Sequence, residues 1–322
     1  MTTPSKPKTK FLWAVVVAII IATFAGIYLL QRPQLGQEGS NQGGQTYYPP
    51  TQYVRLEVSA YESSSSWMRD TSTDLPLCST VISYSISNYG NTGATNVQLN
   101  VKVDGNIFLQ DTISTLNAGA YHTAQFSLTI NYDSSRYIEI TASTTGSSDT
   151  YSFSVDAPLP RWASSSTIMK LYITPNDPVV KSTLNNILSN KFFLTPNWMA
   201  IRDWVANSVD YAYDSDEYGS EQWQLPRETI QKGLGDCEDF SILMVSLLRA
   251  NGWDADEVYV VLGYNPSSDS YHAWVKLNLG LGLWYSLEPQ GDNWNFILGD
   301  WLSLSGYEAV CQFNDVYYEE IG

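Results

Sequence analysis

The stretch GLGDCEDFSILMVSLLRANG, residues 233–252, carries one of only three cysteines in a chain of 322 residues. Apolar residues recur at Phe240, Leu243, Met244, Leu247 and Leu248, which is a helical period, and Asn251-Gly252 supplies the stop. Cys237 therefore falls in the first turn, where unpaired backbone N–H groups and the positive end of the dipole favour a thiolate. Asp236, Glu238 and Asp239 flank it and act the other way, because nearby carboxylates make a thiolate harder to form. Glu238 and Asp239 also suit a helix start, and Asp236 an N-cap, so these acids read as serving the helix. A nucleophilic Cys237 then needs a positive charge from elsewhere in the chain.

Three strand-like runs follow: EVYVVLG (257–263), SYHAWVKL (270–277) and LWYSLEP (283–289). If NLGLG closes the last two into an antiparallel hairpin centred on Gly280, His272 stands opposite Glu288 on one face. A carboxylate there holds the imidazole tautomer and favours the imidazolium. With this hairpin beside the start of the cysteine helix, His272 becomes the missing cation. Cys237, His272 and Glu288 then supply nucleophile, base and orienting acid in acyl-transfer order. Each has a plainer reading alone: a buried structural thiol, a satisfied strand histidine and a turn carboxylate.

These motifs, GDCEDFSILMVSLLRANGW, YHAWVKL and WYSLEP in that order, resemble the transglutaminase-like superfamily of papain-type cysteine enzymes. TPNDPVV, the tryptophan-rich helix and QWQLPRETIQ fit its archaeal, membrane-anchored members, and the likeness covers about residues 160–300. The resemblance implies a cysteine-bearing core helix packed on an antiparallel sheet, and attack on a carboxamide through a thioester. It implies Cys237 as nucleophile, His272 as general base and acid, and Glu288 as third member, where the family most often has Asp. For the oxyanion, the Cys237 backbone N–H is a natural donor, with the side chain of Trp223 or Gln231 as a second; Gln231 precedes the thiol by six residues, a spacing similar to papain's.

Residues 52–157 show period two in VRLEVSAY, STVISYSI, NVQLNVKV, YHTAQFSLTI, YIEITAST and TYSFSV, with turn signals between them. Six or more short strands in about this length indicate a β-sandwich, and SNYGNTGATNVQLNVKVDG resembles adhesion-type Ig-like modules of prokaryotic surface proteins. The pattern turns helical after DAPLPRW (156–162). Asp177-Pro178 opens one helix, and a second is expected over about 197–212 with Trp198, Ile201, Trp204, Val205 and Val209 inward. DYAYDSDEYGSEQ (210–222) reads as a solvated acidic loop; calcium is conceivable there, but the regular D-x-D-x-D-G spacing is missing.

FLWAVVVAIIIATFAGIYLL (11–30) is a charge-free run of bilayer-spanning length behind Lys6, Lys8 and Lys10. The expected organisation is multi-domain: a cytoplasmic tail (1–10), a transmembrane helix (11–30), a flexible linker (31–50), an all-β Ig-like sandwich (51–157) and an α+β papain-like, transglutaminase-like catalytic domain (158–322). The positive-inside rule places the last two outside the cell membrane. A net charge of −16 argues against nucleic acid as a partner. Cys78 and Cys311 either pair or are buried as free thiols. The functional expectation is a cell-surface enzyme needing no cofactor, acting on protein or peptide, most simply by hydrolysis. Amine-accepting cross-linking is the alternative chemistry, and a non-enzymatic adhesion module with a degenerate enzyme fold is the alternative class.

Overall fold

Strict alternation of apolar and polar residues builds the first half of the structure. The computed structural model describes residues 50–322 apart from 163, 281, 292–295, 299–302, 305 and 322. The chain divides into Met1–Thr51 and Gln52–Gly322; the tail and apolar run expected in the first unit, and the linker up to residue 49, lie outside the described residues. No described helix is long and apolar enough to cross a membrane.

Seven antiparallel strands form the sandwich: β1 (Leu56–Arg69), β2 (Pro76–Asn88), β3 (Ala94–Val103), β4 (Asn106–Leu116), β5 (Tyr121–Asn131), β6 (Ser134–Thr144) and β7 (Ser147–Ala157). One sheet has the order β1-β2-β5, the other β4-β3-β6-β7. Every second residue of β2 is buried, and Ile82, Ile86, Val97, Val101, Ile130, Ile138 and Ile140 are fully enclosed between the sheets. Strand β4 was not among the expected runs. It is a sheet edge, largely exposed, with Ile107 and Phe108 facing water, so its sequence has no core-facing period to read.

In the second half, helices α1 (Ser166–Leu171), α2 (Pro178–Asn190), α3 (Asn197–Ser208), α4 (Asp214–Glu217), α5 (Pro226–Lys232) and α6 (Cys237–Ala250) accompany a sheet. The short strands β8 (Asp210–Tyr211) and β9 (Leu234–Gly235) pair in parallel. The main sheet comprises β10 (Val258–Asn265), β11 (Ser270–Asn278), β12 (Trp284–Leu287), β13 (Phe296–Leu298), β14 (Ser303–Leu304), β15 (Tyr307–Phe313) and β16 (Tyr318–Glu320). Its order is β13-β12-β11-β10-β15-β14, with β16 paired to β15. Helix α6 is buried from Glu238 to Leu248, enclosed by the sheet and the other helices. Asp177 caps α2 as its sequence implies, accepting from Val179 N at 2.9 Å. Helix α3 stops at Ser208, short of the expected residue 212, because Asp210 and Tyr211 are drawn into the β8–β9 pair.

The two halves meet through specific polar contacts. Arg69 at the end of β1 donates to Ile173 O at 2.6 Å and to Lys170 O, satisfying carbonyls at the C-terminal end of α1. Asp74 Oδ2 accepts from Asn176 N at 2.7 Å, and Trp67 and Tyr132 pack on the core of the second half. The three cysteines are free: Cys78 is buried in the sandwich core and Cys311 in the second core, so no bridge joins them.

Candidate active site

Cys237 opens α6, preceded by Gly235, where a Cβ would come within 2.7 Å of the Asp239 Cβ. That close approach lets the chain turn sharply into the helix and leaves the thiol half-buried at its start. His272 lies on β11 and Glu288 immediately after β12. The hairpin register differs from the one centred on Gly280. Val275 pairs with Leu287 and Asn278 with Trp284, because the turn is wider, with Gly280 and Gly282 both at positive φ (94° and 72°). The offset is two residues, so the faces are kept and His272 meets Glu288 diagonally. His272 Nε2 lies 2.7 Å from Glu288 Oε2. This leaves Nδ1 as the ring nitrogen for proton transfer.

Glu288 is held from behind. Buried Arg202 on α3 donates Nε to Glu288 O at 3.2 Å and Nη2 to Gly291 O at 2.8 Å, fixing the chain where it leaves β12. Glu288 Oε1 is buried without a hydrogen-bond partner. With Oε1 unpaired, the His272 bond at Oε2 is the hydrogen bond that this carboxylate group keeps, and a carboxylate there favours a cationic imidazole.

Cys237 and His272 line one cavity of about 400 Å³. The thiol donates to Glu238 Oε2 at 3.3 Å. Burial, then the Glu238 and Asp236 carboxyls, push it well above the usual thiol range, with the Ala273 backbone N–H opposing them. Burial and the acids together hold the thiol protonated here, and its hydrogen-bond partner is its neighbour Glu238. These acids do more than start a helix. Asp236 sits at the N-cap but makes no side-chain cap bond. Glu238 and Asp239 are buried and driven well up, by burial first and then by the neighbouring Asp236 carboxyl; Asp236 itself shifts in the same direction, chiefly through burial. Asp214, from the loop expected to be solvated, is buried too and is pushed up to about 6. Gln224 satisfies Asp239 with its N at 2.7 Å and its Nε2 at 2.6 Å. Asp236 Oδ1 and Glu238 Oε1 are buried with no partner.

This cluster passes a chemical test for a cation. Oxygens of Asp214, Asp236 and Asp239, and of Asp214, Glu221 and Glu238, approach within 4.8 Å of one another. An all-oxygen, carboxylate-rich set with orphaned buried atoms suits a hard divalent ion such as calcium. The signal was present in Asp214, Asp236 and Glu238, but their convergence depends on the β8–β9 pairing, which two-residue strands do not announce.

Trp223 lines the cavity, buried, with its Nε1 donated to Glu221 Oε1 at 3.1 Å. Gln231 is exposed on α5 and does not line the cavity, so the structure gives it no oxyanion geometry. Tyr271 and Trp162, which the sequence reading did not single out, line the cavity as well.

Residues 186–289 of the chain match the transglutaminase-like superfamily core, and residues 72–149 match CARDB. The protein thus carries a transglutaminase-like core domain behind an Ig-like CARDB domain, as the motif resemblance implied. No curated protein sequence matches it. Among solved structures, calcium-bound Legionella pneumophila LapG is 19% identical over 48% of this chain and 80% of that one, with a TM-score of 0.35. The CARDB domain of PF1109 from Pyrococcus furiosus is 15% identical over 34% of this chain and 100% of that one, with a TM-score of 0.25.

Proposed function

We propose that the protein is a cysteine enzyme that transfers an acyl group through a thioester on Cys237. The observation that carries this reading is the 2.7 Å bond between His272 Nε2 and Glu288 Oε2, beside a thiol in the same cavity. His272 Nδ1 takes the thiol proton, and Glu288 stabilises the resulting imidazolium. The sulfur attacks the carbonyl carbon of a carboxamide or peptide bond. The Cys237 backbone N–H, at the helix start, is directed to the developing oxyanion, and Trp223 Nε1 is a second donor once released from Glu221. The imidazolium returns its proton to the leaving nitrogen as the C–N bond breaks. Water, deprotonated by His272, then attacks the thioester, releasing the acid and restoring the thiol.

Hydrolysis is the favoured outcome, with cross-linking to an amine as the alternative acceptor chemistry. Residues 11–30 and the lysines before them support anchoring in the cell membrane with the two domains outside, as in archaeal members of this superfamily, and a protein or peptide substrate at the surface. A non-enzymatic adhesion role is disfavoured, since all three residue types survive. The test is incubation with glutamine-containing peptides, with and without a primary amine. Release of ammonia or cleavage without amine incorporation supports hydrolysis; amine incorporation supports cross-linking; neither reaction, in the presence of calcium, overturns the enzyme.

The orphaned carboxylates support a second element. Asp214, Glu221, Asp236, Glu238 and Asp239 would hold a hard divalent cation, calcium being the natural candidate. When bound, the ion supplies positive charge that offsets the carboxylates raising the thiol; these residues orient the first turn of α6 and the side chain of Glu238.

A further inference from the structure

The cavity that holds Cys237 and His272 is apolar away from those groups. Trp223, Met169 and Cys311 are buried against its floor, whereas Trp162 and Tyr271 line it while 62% and 75% exposed. Large rings kept in water beside a nucleophile contribute little to the core, and exposed aromatics around a concave site mark a surface built to cover something. The only side chains in the lining with an acidic function are Glu221 and Glu238, and no lysine or arginine lines it among the described residues.

Trp162 belongs to the segment that joins the sandwich to the catalytic domain. The residue before it is pinned on both sides. Arg161 Nη1 donates to Glu228 Oε2 at 2.6 Å and Nη2 to Glu228 Oε1 at 3.0 Å, and Nη2 also pairs with Asp133 in the β5–β6 turn. The Arg161 carbonyl accepts from Trp223 N at 2.8 Å, and Asp133 Oδ1 accepts from Leu159 N at 2.9 Å. Sandwich turn, linker and cavity floor therefore form one hydrogen-bonded chain, and Trp162 projects from its middle.

We infer that Trp162 and Tyr271 form an apolar subsite that takes a large apolar side chain next to the attacked carbonyl of a polypeptide and disfavours an acidic one. The β-sandwich supports this subsite through Asp133, which holds the linker residue Arg161; the two act as positioning residues. The inference rests on the cysteine-enzyme reading above. A cavity of about 400 Å³ accommodates one phenylalanine or leucine side chain together with adjoining backbone.

The test uses the full chain in detergent micelles with calcium, and dipeptidyl chloromethyl ketones that alkylate Cys237. Acetyl-Phe-Ala, acetyl-Ala-Phe, acetyl-Ala-Ala and acetyl-Glu-Ala probes are compared by kinact and KI. One Phe-bearing probe is expected to inactivate about tenfold or more faster than the Ala-Ala and Glu-Ala probes, the scale of burying one large apolar side chain. Trp162→Ala is expected to reduce this advantage to roughly twofold through KI, Trp162→Phe to retain most of it, and Asp133→Asn to lose part of it, again through KI. Equal inactivation of the wild type by all four probes, or an undiminished advantage in Trp162→Ala, overturns the inference alone. Labelling that is the same with and without the His272 imidazole overturns the enzyme reading and this inference with it.

Discussion

His272 Nε2 and Glu288 Oε2 lie 2.7 Å apart although their backbone positions are not partners in the sheet. The longer glutamate arm spans the diagonal that a two-residue offset creates. Glu288→Gln keeps the shape and one hydrogen bond but removes the charge that stabilises an imidazolium. It should lower kcat/KM by about 10²-fold or more at unchanged thermal stability, and His272→Ala by about 10³-fold. Glu288→Asp is expected to fall between the wild type and the glutamine variant, since its reach is shorter by one methylene. Steady-state kinetics on a peptide found by the glutamine screen measures all three.

The buried acids make a distinct prediction about pH. Asp214 has a folded value of about 6, against about 3.9 when unfolded, so the folded state binds more protons between these values. Stability should therefore fall as pH rises from about 4 through 6, the reverse of an ordinary salt-bridged carboxylate. Asp236, Glu238 and Asp239 are shifted in the same direction and reinforce the slope. Thermal melts in metal-free buffer should show it, and Asp214→Asn should flatten it.

Calcium should oppose that loss. Added at pH 7 it is expected to raise the melting temperature of the wild type, and chelation to reverse the rise, through mass action on the folded state. Asp236→Asn or Glu238→Gln should abolish most of the shift. Equilibrium dialysis with the metal alone gives the stoichiometry; no uptake, and no shift in melting, would contradict the cation reading while leaving the His272–Glu288 pair untouched.

Arg69 ties the sandwich to the second domain through two carbonyls at the end of α1. Arg69→Ala leaves those acceptors without a charged donor and should cost roughly 2 kcal/mol. A melt that lowers both domains together is expected, because the two share packed residues at Trp67 and Tyr132. Independent transitions with an unchanged transglutaminase-like half would show that the interface adds little.

Much of this architecture was legible because its signals are local. The alternation in β2 and the Asp177-Pro178 start of α2 depend on neighbouring residues alone, as does the apolar period after Cys237. The face shared by His272 and Glu288 survived an error in register, since an offset of two preserves the side of the sheet. What escaped was non-local. Strand β4 is an exposed edge without a pattern. Asp214 reads as solvated because nothing in its own segment indicates that β8 will pair with β9 and bring it, buried, to Asp236 and Asp239. Glu238 read as a helix-start acid, and only the fold shows its carboxylate accepting from the thiol. Trp162 lay in what read as a plain linker until the Arg161 bridge fixed it at the cavity.

The central claim is that His272 activates Cys237. The most direct test is the rate of iodoacetamide labelling at each of the three cysteines, followed by mass spectrometry on the full chain at pH 7 in calcium, for the wild type and His272→Ala. Cys78 and Cys311 are buried whereas Cys237 is half-buried at the cavity, so the first two should be spared. The account predicts selective labelling of Cys237 that slows at least tenfold, roughly one unit of thiol activation, when the imidazole is removed. Labelling of Cys237 at the same rate in both proteins would contradict it.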